Sequence, residues 1–187
     1  MLIKINNNQR GRPHGLIGLY ALNKMRYKHD DVFKYASSLF DIKPSDSIID
    51  IGCGPGEHIK KMEPLALLSY GVDISPLSIK MTARANRRAI RAGRLKLIEG
   101  NIKDINIANI KFNIATAYCT VGFWEDLEGS FRAIYNILAI NGSLIIAGHK
   151  NKEPDTLIDT LKKVGFSPIK YITDDDLYAI KADKQKN

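Results

Sequence analysis

Strand-like and helix-like segments alternate along most of this chain. Short apolar runs typical of buried strands lie at residues 47–51, 67–74, 95–100, 112–118 and 143–148. The segments between these runs have helical spacing of apolar residues or helix start and stop signals. Strands that are connected through helices need right-handed crossovers, so the alternation predicts a mostly parallel sheet.

Helices are predicted before, between and after these strands. One opens with the pair Ser75 and Pro76 and closes at Gly93, and a shorter one starts at Gly56 and is stopped by Pro64. The others are predicted over residues 15–27, 30–40, 125–139 and 155–165.

The end of the chain departs from the alternation. The segments "SPIKYI" (167–172) and "LYAIKA" (177–182) are joined only by "TDDD", which is too short for a parallel crossover, so they are predicted to pair as an antiparallel hairpin. The predicted fold is therefore α/β, with a seven-stranded, mostly parallel sheet and helices on both faces. We expect residues 1–29 to form a leader and cap helix, and residues 30–187 to form one domain.

The first strand runs into a turn, "GCGPGEH", in which an acid stands on either side of the glycines. A dinucleotide site would have G-x-G-x-x-G, but here the third glycine, Gly56, comes one residue early. Glu57 in the first helical turn, with Asp50 before the turn, would repel a bound pyrophosphate. No Lys-Ser/Thr pair follows, so the turn is not a phosphate loop of the G-x-x-x-x-G-K type either.

A cationic ligand without phosphate fits these charges better. S-adenosylmethionine carries an ammonium and a sulfonium group, and both are stabilised by nearby carboxylates. Asp73, at the end of the second strand in "GVDIS", is placed to bind the ribose hydroxyls. Two structural readings stay open: the glycines could form a plain strand–helix turn, and Asp73 could only cap a helix.

Several motifs together carry a resemblance to a known family. In order and spacing, "DIGCGPG", "GVDIS", "EGNIKDI", "FNIATAY" and "ILAINGSLIIAG" resemble the motifs of class I S-adenosylmethionine-dependent methyltransferases. The resemblance covers about residues 30–182, and it implies a Rossmann-like methyltransferase fold. The segment "RPHGLIGLYALNKM" resembles the N-terminal cap of small-molecule members related to quinone and phospholipid methyltransferases.

The resemblance also implies roles for individual residues. Gly52 and Gly54 would let the backbone approach the methionine part of S-adenosylmethionine, Asp50 would lie near its ammonium group, and Ile74 would pack on the adenine. Asn replaces the family's usual Asp at position 101, and again at position 113. The implied cofactor-binding set is Asp50, Gly52, Cys53, Gly54, Asp73, Ile74, Asn101, Ile102 and Tyr118.

The methyl acceptor is expected at the carboxyl ends of the fourth and fifth strands, beside the N-terminal cap. Aromatic walls suit an apolar or planar acceptor, although these side chains could equally belong to the core. His149, directly after the fifth strand, is the first candidate for a general base, and His14 and His58 are weaker ones. A base is needed only when the acceptor must lose a proton. The candidate pocket residues are Tyr20, Tyr27, Phe123 and Trp124, with Tyr118.

Nucleic acid is the rival acceptor. The formal charge is +8, and a basic stripe on the helix after the second strand could contact phosphates of RNA, including tRNA or rRNA. The stripe could also be an ordinary solvated face, and "AYCT" stands where amino-methylating enzymes of nucleic acid carry an "NPPY"-type tetrapeptide. We therefore expect a small-molecule acceptor; a non-catalytic binding protein with the same fold is a further alternative. The stripe consists of Lys80, Arg84, Arg87, Arg88 and Arg91.

The cysteines and the apolar segments suggest where the protein works. Cys53 and Cys119 are too few for a disulfide framework and lack metal-type spacing, so no metal is expected. The apolar stretch "GLIGLYAL" (15–22) is too short to span a bilayer. The sequence predicts a cytoplasmic protein without a membrane span.

Overall fold

The structure is a computed structural model that describes residues 11–107, 109–150 and 154–186, without the side chains of residues 26–28. Tyr27, predicted from the sequence to line the acceptor pocket, therefore has a side chain outside the described residues.

In the described part of the chain, seven strands form one sheet in the order β3-β2-β1-β4-β5-β7-β6. The pairs β1–β2, β2–β3, β1–β4 and β4–β5 are parallel, and β7 is antiparallel to both β5 and β6. The predicted fold class, including the antiparallel hairpin at the end, is confirmed. The strands are β1 (Ser47–Ile51), β2 (Leu68–Asp73), β3 (Leu95–Glu99), β4 (Phe112–Tyr118), β5 (Leu138–His149), β6 (Ile169–Thr173) and β7 (Leu177–Asp183).

Helices cover both faces of this sheet. Along β5, the side chains of Leu144 and Ile146 join one apolar cluster and that of Ile145 joins another, because successive side chains of a strand point to opposite faces. Strands that are buried on both faces read as continuous apolar runs. The described helices are α1 (Gly15–Lys28), α2 (Asp30–Ala36), α3 (Glu57–Met62), α4 (Pro76–Ala85), α5 (Arg87–Arg91), α6 (Leu127–Ile137) and α7 (Pro154–Val164).

The prediction of a single helix over 75–93 is wrong. The helix stops at Asn86, where the backbone leaves the helical region (φ −113°, ψ 25°), and α5 begins directly after it. The Asn86 amide donates to the carbonyl of Thr82 (3.0 Å) and to that of Gly56 (3.3 Å). The residues of the basic stripe are therefore divided between two helices, and all five remain exposed.

The boundary between α6 and β5 also differs from the prediction. The helix expected over 125–139 ends at Ile137, and β5 begins at Leu138 instead of residue 143. Leu138 pairs with Phe112, and the register shifts before Ser143 pairs with Ile114. The pair Asn141–Gly142 therefore forms an irregularity within a long strand instead of the end of a helix, with Asn141 at φ 64°.

The N-terminal helix α1 contacts α4. It buries Ala21 and Leu22, whereas Leu16 is 86% exposed. The boundary predicted between residues 29 and 30 falls at the junction of α1 and α2, and the division of the chain there stays a prediction. Among the described residues, no helix combines the length and the apolar character that crossing a membrane requires.

Candidate functional site

A cavity of about 90 Å³ lies where β1, β2 and β4 reach their carboxyl ends. In open α/β sheets this edge, beside the point where the strand order reverses, is the usual place for a ligand. The volume is below the roughly 300 Å³ at which ordinary small-molecule sites begin. Of the site residues predicted from the sequence, seven line the cavity: Gly52, Cys53, Gly54, His58, Asp73, Tyr118 and Phe123.

The turn after β1 is held in a conformation that requires glycine. Gly52, Gly54 and Gly56 have φ values of 72°, 52° and 81°, a region that residues with a Cβ rarely adopt. A Cβ on Gly52 would lie 2.2 Å from the Thr120 hydroxyl oxygen. The turn therefore presents bare backbone to the cavity.

Helix α4 supports this turn from below. The Thr82 hydroxyl donates to the Gly54 carbonyl (2.7 Å), and the Asn86 amide donates to the Gly56 carbonyl. Ser78, Thr82 and Asn86 are buried polar residues spaced four apart, so they share one helix face. Sequence reasoning missed this face because it attended to the basic residues. The four-residue spacing of small polar side chains was the available signal.

Asp73 joins the turn to the start of α4. One carboxylate oxygen accepts from the Gly54 N–H (2.9 Å) and the other from the Ser75 N–H (2.8 Å). The side-chain cap of the helix is Ser75, which accepts from the Ser78 N–H, so the contacts of Asp73 link the turn to the helix start. Burial raises the pKa of Asp73, while both backbone hydrogen bonds oppose the rise. An ionised carboxylate offers about four acceptor positions, so Asp73 keeps capacity for hydroxyl donors in the cavity.

Asp50 is buried in β1 and does not line the cavity. Its Oδ1 accepts from the Thr116 hydroxyl (2.7 Å). Its Oδ2 is shielded from solvent and has no hydrogen-bond partner among the described residues. Burial and, to a smaller extent, the neighbouring charge of Asp73 raise the pKa of Asp50 to about 7, while the hydrogen bond from Thr116 opposes the rise. A cation bound at the adjoining turn would favour the ionised form of this carboxyl.

The remaining residues of the predicted cofactor set lie outside the cavity wall. Ile74 follows Asp73 and is 37% exposed. Asn101 is exposed and accepts from the Lys103 N–H (3.1 Å), whereas Ile102 is buried in the core. None of these three is among the lining residues.

Asn113 and Cys53, which the sequence analysis also discussed, have contacts or burial that suit a structural role. Asn113, which stands in place of the usual Asp, accepts from the Ser47 N–H (2.9 Å) and so ties the start of β4 to the start of β1. Burial raises the pKa of the Cys53 thiol well above its ordinary value, which keeps it protonated and unreactive.

Aromatic side chains divide between the cavity and the core. Tyr118 lines the cavity, and its ring meets that of His58 edge-on at 4.8 Å. Trp124 packs on Phe131 in the core, and Tyr20 is 43% exposed; neither lines the cavity.

The histidines that line the cavity are not the one that the sequence ranked first as a base. His58 and His29 line the cavity, and the His58 Nε2 lies 3.1 Å from the His29 carbonyl oxygen. Burial lowers the pKa of His58. His149, predicted as a base, does not line the cavity; its ring lies 5.6 Å from the ring of His29.

The segment before α1 forms part of the cavity wall, which sequence reasoning did not anticipate in this form. The Ser75 hydroxyl donates to the Pro13 carbonyl (2.6 Å). Gly11 and Pro13 line the cavity, and a Cβ on Gly11 would lie 3.0 Å from the Phe123 ring. Residues 11–13 thus lie against the edge of the sheet that holds the glycine turn.

Comparison with known proteins shows which family the sequence matches. Residues 49–146 match the sequence model of a family described as "Methyltransferase domain". The chain is 30% identical over 138 residues to "Putative methyltransferase YrhH" of Bacillus subtilis, covering 71% of this chain and 74% of that protein. It is 28% identical over 157 residues to ribosomal protein L11 methyltransferase of Staphylococcus carnosus. That match covers 78% of this chain, and this chain spans about half the length of the Staphylococcus protein (46%).

A solved structure shows the same fold at low sequence identity. Haemonchus contortus phosphoethanolamine N-methyltransferase 2, in complex with phosphomonomethylethanolamine and S-adenosylhomocysteine, superposes with a TM-score of 0.76 and 12% identity. The superposition covers 89% of this chain and 58% of that one.

Proposed function

The chain belongs to the class I S-adenosylmethionine-dependent methyltransferases, and from this premise we propose that it methylates a small molecule bound in the cavity at the carboxyl ends of β1 and β4. The observation that carries the proposal is the wall of this cavity. Residues 11–13 and the glycine turn enclose it, and aromatic and apolar side chains line much of it. An apolar lining with a few polar groups is typical of a small-molecule site, and at about 90 Å³ this cavity has to widen when cofactor and acceptor bind.

We propose that each of the predicted cofactor residues contacts a different part of S-adenosylmethionine. S-adenosylmethionine, when bound, supplies an electrophilic methyl group on a sulfonium sulfur. The bare backbone of Gly52 and Gly54 leaves room for its methionine part, and Asp73 has acceptor capacity for its ribose hydroxyls. Ile74, which is partly exposed beside Asp73, can pack against the adenine. The Oδ2 atom of Asp50, which has no hydrogen-bond partner among the described residues, favours a cationic group nearby.

The acceptor would occupy the side of the cavity formed by α1 and the end of β4. Leu22, Met25, Tyr118 and Phe123 supply apolar surface there, and His29 and His58 supply polar groups. Holding the acceptor in line with the methyl group while water is excluded accounts for much of the catalysis that such a site can provide.

An acceptor that must lose a proton would need a base on the cavity wall. Only a nitrogen that carries hydrogen can donate to the His29 carbonyl, so Nε2 of His58 holds the proton of its neutral ring and Nδ1 can accept one. We therefore propose His58 ahead of His149, since His58 lines the cavity and His149 does not.

A protein acceptor is a second candidate. It is favoured by the 28% identity to a methyltransferase whose name gives ribosomal protein L11 as its substrate. A single side chain of a protein could enter the same cavity, so the acceptor has to be identified by assay.

The proposed cofactor site is tested by calorimetric titration with S-adenosylhomocysteine. We expect the wild type to bind S-adenosylhomocysteine saturably and not to bind NADH. Replacing Asp73 with Ala removes the ribose acceptor, and we expect binding weaker by about 10-fold to 100-fold, equivalent to about 1–3 kcal/mol. Asp175→Ala, in the exposed turn between β6 and β7, is the matched control and should bind as the wild type does.

An unchanged affinity in Asp73→Ala would remove Asp73 from the site, and binding of NADH in place of S-adenosylhomocysteine would overturn the cofactor assignment. The acceptor is then sought with radiolabelled S-adenosylmethionine. Methyl transfer to members of a panel of small amines, thiols and phenols supports the proposal. Transfer only to ribosomal protein or RNA rejects it.

A further inference from the structure

We propose that His29, Cys119 and His149 form a binding site for a thiophilic divalent cation, zinc in particular, at the edge of the cofactor cavity. Each residue offers one ligand atom, and these three atoms lie within 4.8 Å of one another. All three side chains are half-buried, and two of them, His29 and Cys119, also line the cavity.

The topology of the sheet brings these residues together. Cys119 directly follows β4 and His149 ends β5, and these strands are parallel neighbours. The Cys119 N–H donates to the Ala147 carbonyl (2.8 Å), which fixes the thiol beside the end of β5. His29 comes from the junction of α1 and α2, 90 residues before Cys119 in the chain. Three separate segments thus direct nitrogen and sulfur ligands to one point.

The spacing of the ligand atoms fits a tetrahedral ion. Zinc binds cysteine sulfur at about 2.3 Å and imidazole nitrogen at about 2.0–2.1 Å, so a sulfur and a nitrogen on one tetrahedral ion lie about 3.5 Å apart. The Cys119 Sγ lies 3.5 Å from the Nδ1 of His29. The His149 ligand atom needs at most a small side-chain rotation to close the third contact, since it already lies within the 4.8 Å group.

Two local features suit a ligand at this point. The Nε2 atom of His149 is shielded from solvent and has no hydrogen-bond partner among the described residues. Such a buried, unsatisfied nitrogen is costly unless something binds it. Cys119 has φ 55°, a conformation uncommon for a residue with a Cβ and frequent at functional sites.

The ligand set indicates which cation and which kind of site. One thiolate and two imidazoles suit zinc and other borderline-soft ions, whereas magnesium and calcium prefer oxygen ligands. Three protein ligands also leave a fourth position for water or a small molecule, as in catalytic rather than structural zinc sites. The alternative is a trio of residues joined only by hydrogen bonds and ring contacts, which would bind no ion.

The test begins with the full chain after removal of metals with a chelator. Zinc is titrated in competition with a chromophoric chelator, and we expect one bound ion per chain. Cys119→Ser and His149→Gln each remove a ligand, and we expect zinc affinity to fall more than about 100-fold, beyond the range that outer-shell changes cause. His14→Gln, an exposed histidine outside the cluster, is the matched control and should keep wild-type affinity.

Cobalt substitution in the wild type provides a measurement that does not depend on a variant folding. A cobalt–thiolate charge-transfer band with the intense visible absorption of a tetrahedral ion supports the site. Weak octahedral absorption, or zinc affinity equal in the wild type and a folded Cys119→Ser, overturns it. Titration of each variant with S-adenosylhomocysteine reports on the cofactor site separately. Variants that lose zinc binding but still bind cofactor support the metal site. A wild type that binds cofactor but no zinc rejects the metal site and leaves the proposed cofactor site standing.

Discussion

Asp50 and Asp73 lie on the neighbouring strands β1 and β2, and different hydrogen bonds compensate the burial of their carboxylates. Asp73 accepts two backbone N–H groups, one on each carboxylate oxygen. Asp50 accepts one hydroxyl and has a second oxygen without a partner among the described residues. A buried carboxylate that lacks donors holds its proton more tightly. Asp50 is therefore the residue whose charge state we expect to respond to pH and to a cationic ligand.

At this scale we predict a pH dependence of stability that belongs to Asp50. The pKa of Asp50 is about 7 in the folded chain and 3.8 in the unfolded reference. The folded state keeps a proton that the unfolded state has lost, so the stabilising contribution is full below the unfolded pKa and is lost as pH rises through the folded one. Asp50→Asn cannot titrate, and we expect it to lose less free energy of unfolding than the wild type between about pH 5 and about pH 8.

Urea denaturation across this pH range measures the effect. Asp175→Asn changes an exposed acid in the same way and should follow the wild-type profile. Parallel profiles for Asp50→Asn and the wild type would show that Asp50 is ionised throughout, contrary to the prediction.

The glycine turn and α4 act as one unit at the scale of elements. Carbonyls of the turn accept hydrogen bonds from the side chains of Thr82 and Asn86. The N–H groups of Gly52 and Cys53 donate to the Val72 carbonyl (2.7 and 3.1 Å). Asn86 lies at the point where α4 ends. The Asn86 amide thus donates to the turn from the C-terminal end of α4, where it also donates to the Thr82 carbonyl.

We predict that the two glycines Gly52 and Gly93 tolerate alanine differently, although both have φ 72°. Gly93→Ala meets open space and should cost only the left-handed backbone penalty of about 1–2 kcal/mol. Gly52→Ala would also drive a Cβ against Thr120, and we expect a further loss of about 1–3 kcal/mol from overpacking. Free energies of unfolding from urea titrations compare the two, with equal losses counting against the close approach of Thr120 to the turn.

The whole molecule carries a formal charge of +8, and its basic residues on α4 and α5 are exposed. We predict that the triple replacement of Lys80, Arg84 and Arg87 by Gln leaves S-adenosylhomocysteine binding and methyl transfer unchanged, because a small acceptor does not need these charges. Activity is measured at low and at high salt. A control that makes the same change of charge elsewhere replaces the exposed Lys34, Lys162 and Lys170.

Loss of activity in the α4 and α5 variant alone, together with steep salt dependence in the wild type, would instead indicate phosphate contacts with a nucleic acid. Equal loss in both triple variants would point to net charge and not to a docking surface.

Local sequence was enough to determine the architecture, and it predicts the edge of the sheet at which the cofactor binds. Apolar runs, helix signals and the short connection "TDDD" correctly predicted the parallel sheet and the hairpin, because each depends on residues close in the chain. The bracketing of glycines by Asp50 and Glu57 likewise argued against phosphate before any coordinates. The helix break at Asn86 was not visible, since the side chain that stabilises it binds a carbonyl 30 residues away.

Only the tertiary structure decided how distant segments meet at the carboxyl edge of the sheet. Residues 11–13 reach this edge through a hydrogen bond between Pro13 and Ser75 that spans 62 residues. His29, Cys119 and His149 have no recognisable spacing in the sequence. The parallel pairing of β4 with β5 and the position of the α1–α2 junction bring one ligand atom of each within 4.8 Å of the others. Sequence patterns report neighbours along a helix or strand, whereas a site built from three segments depends on crossovers and packing that no single segment encodes.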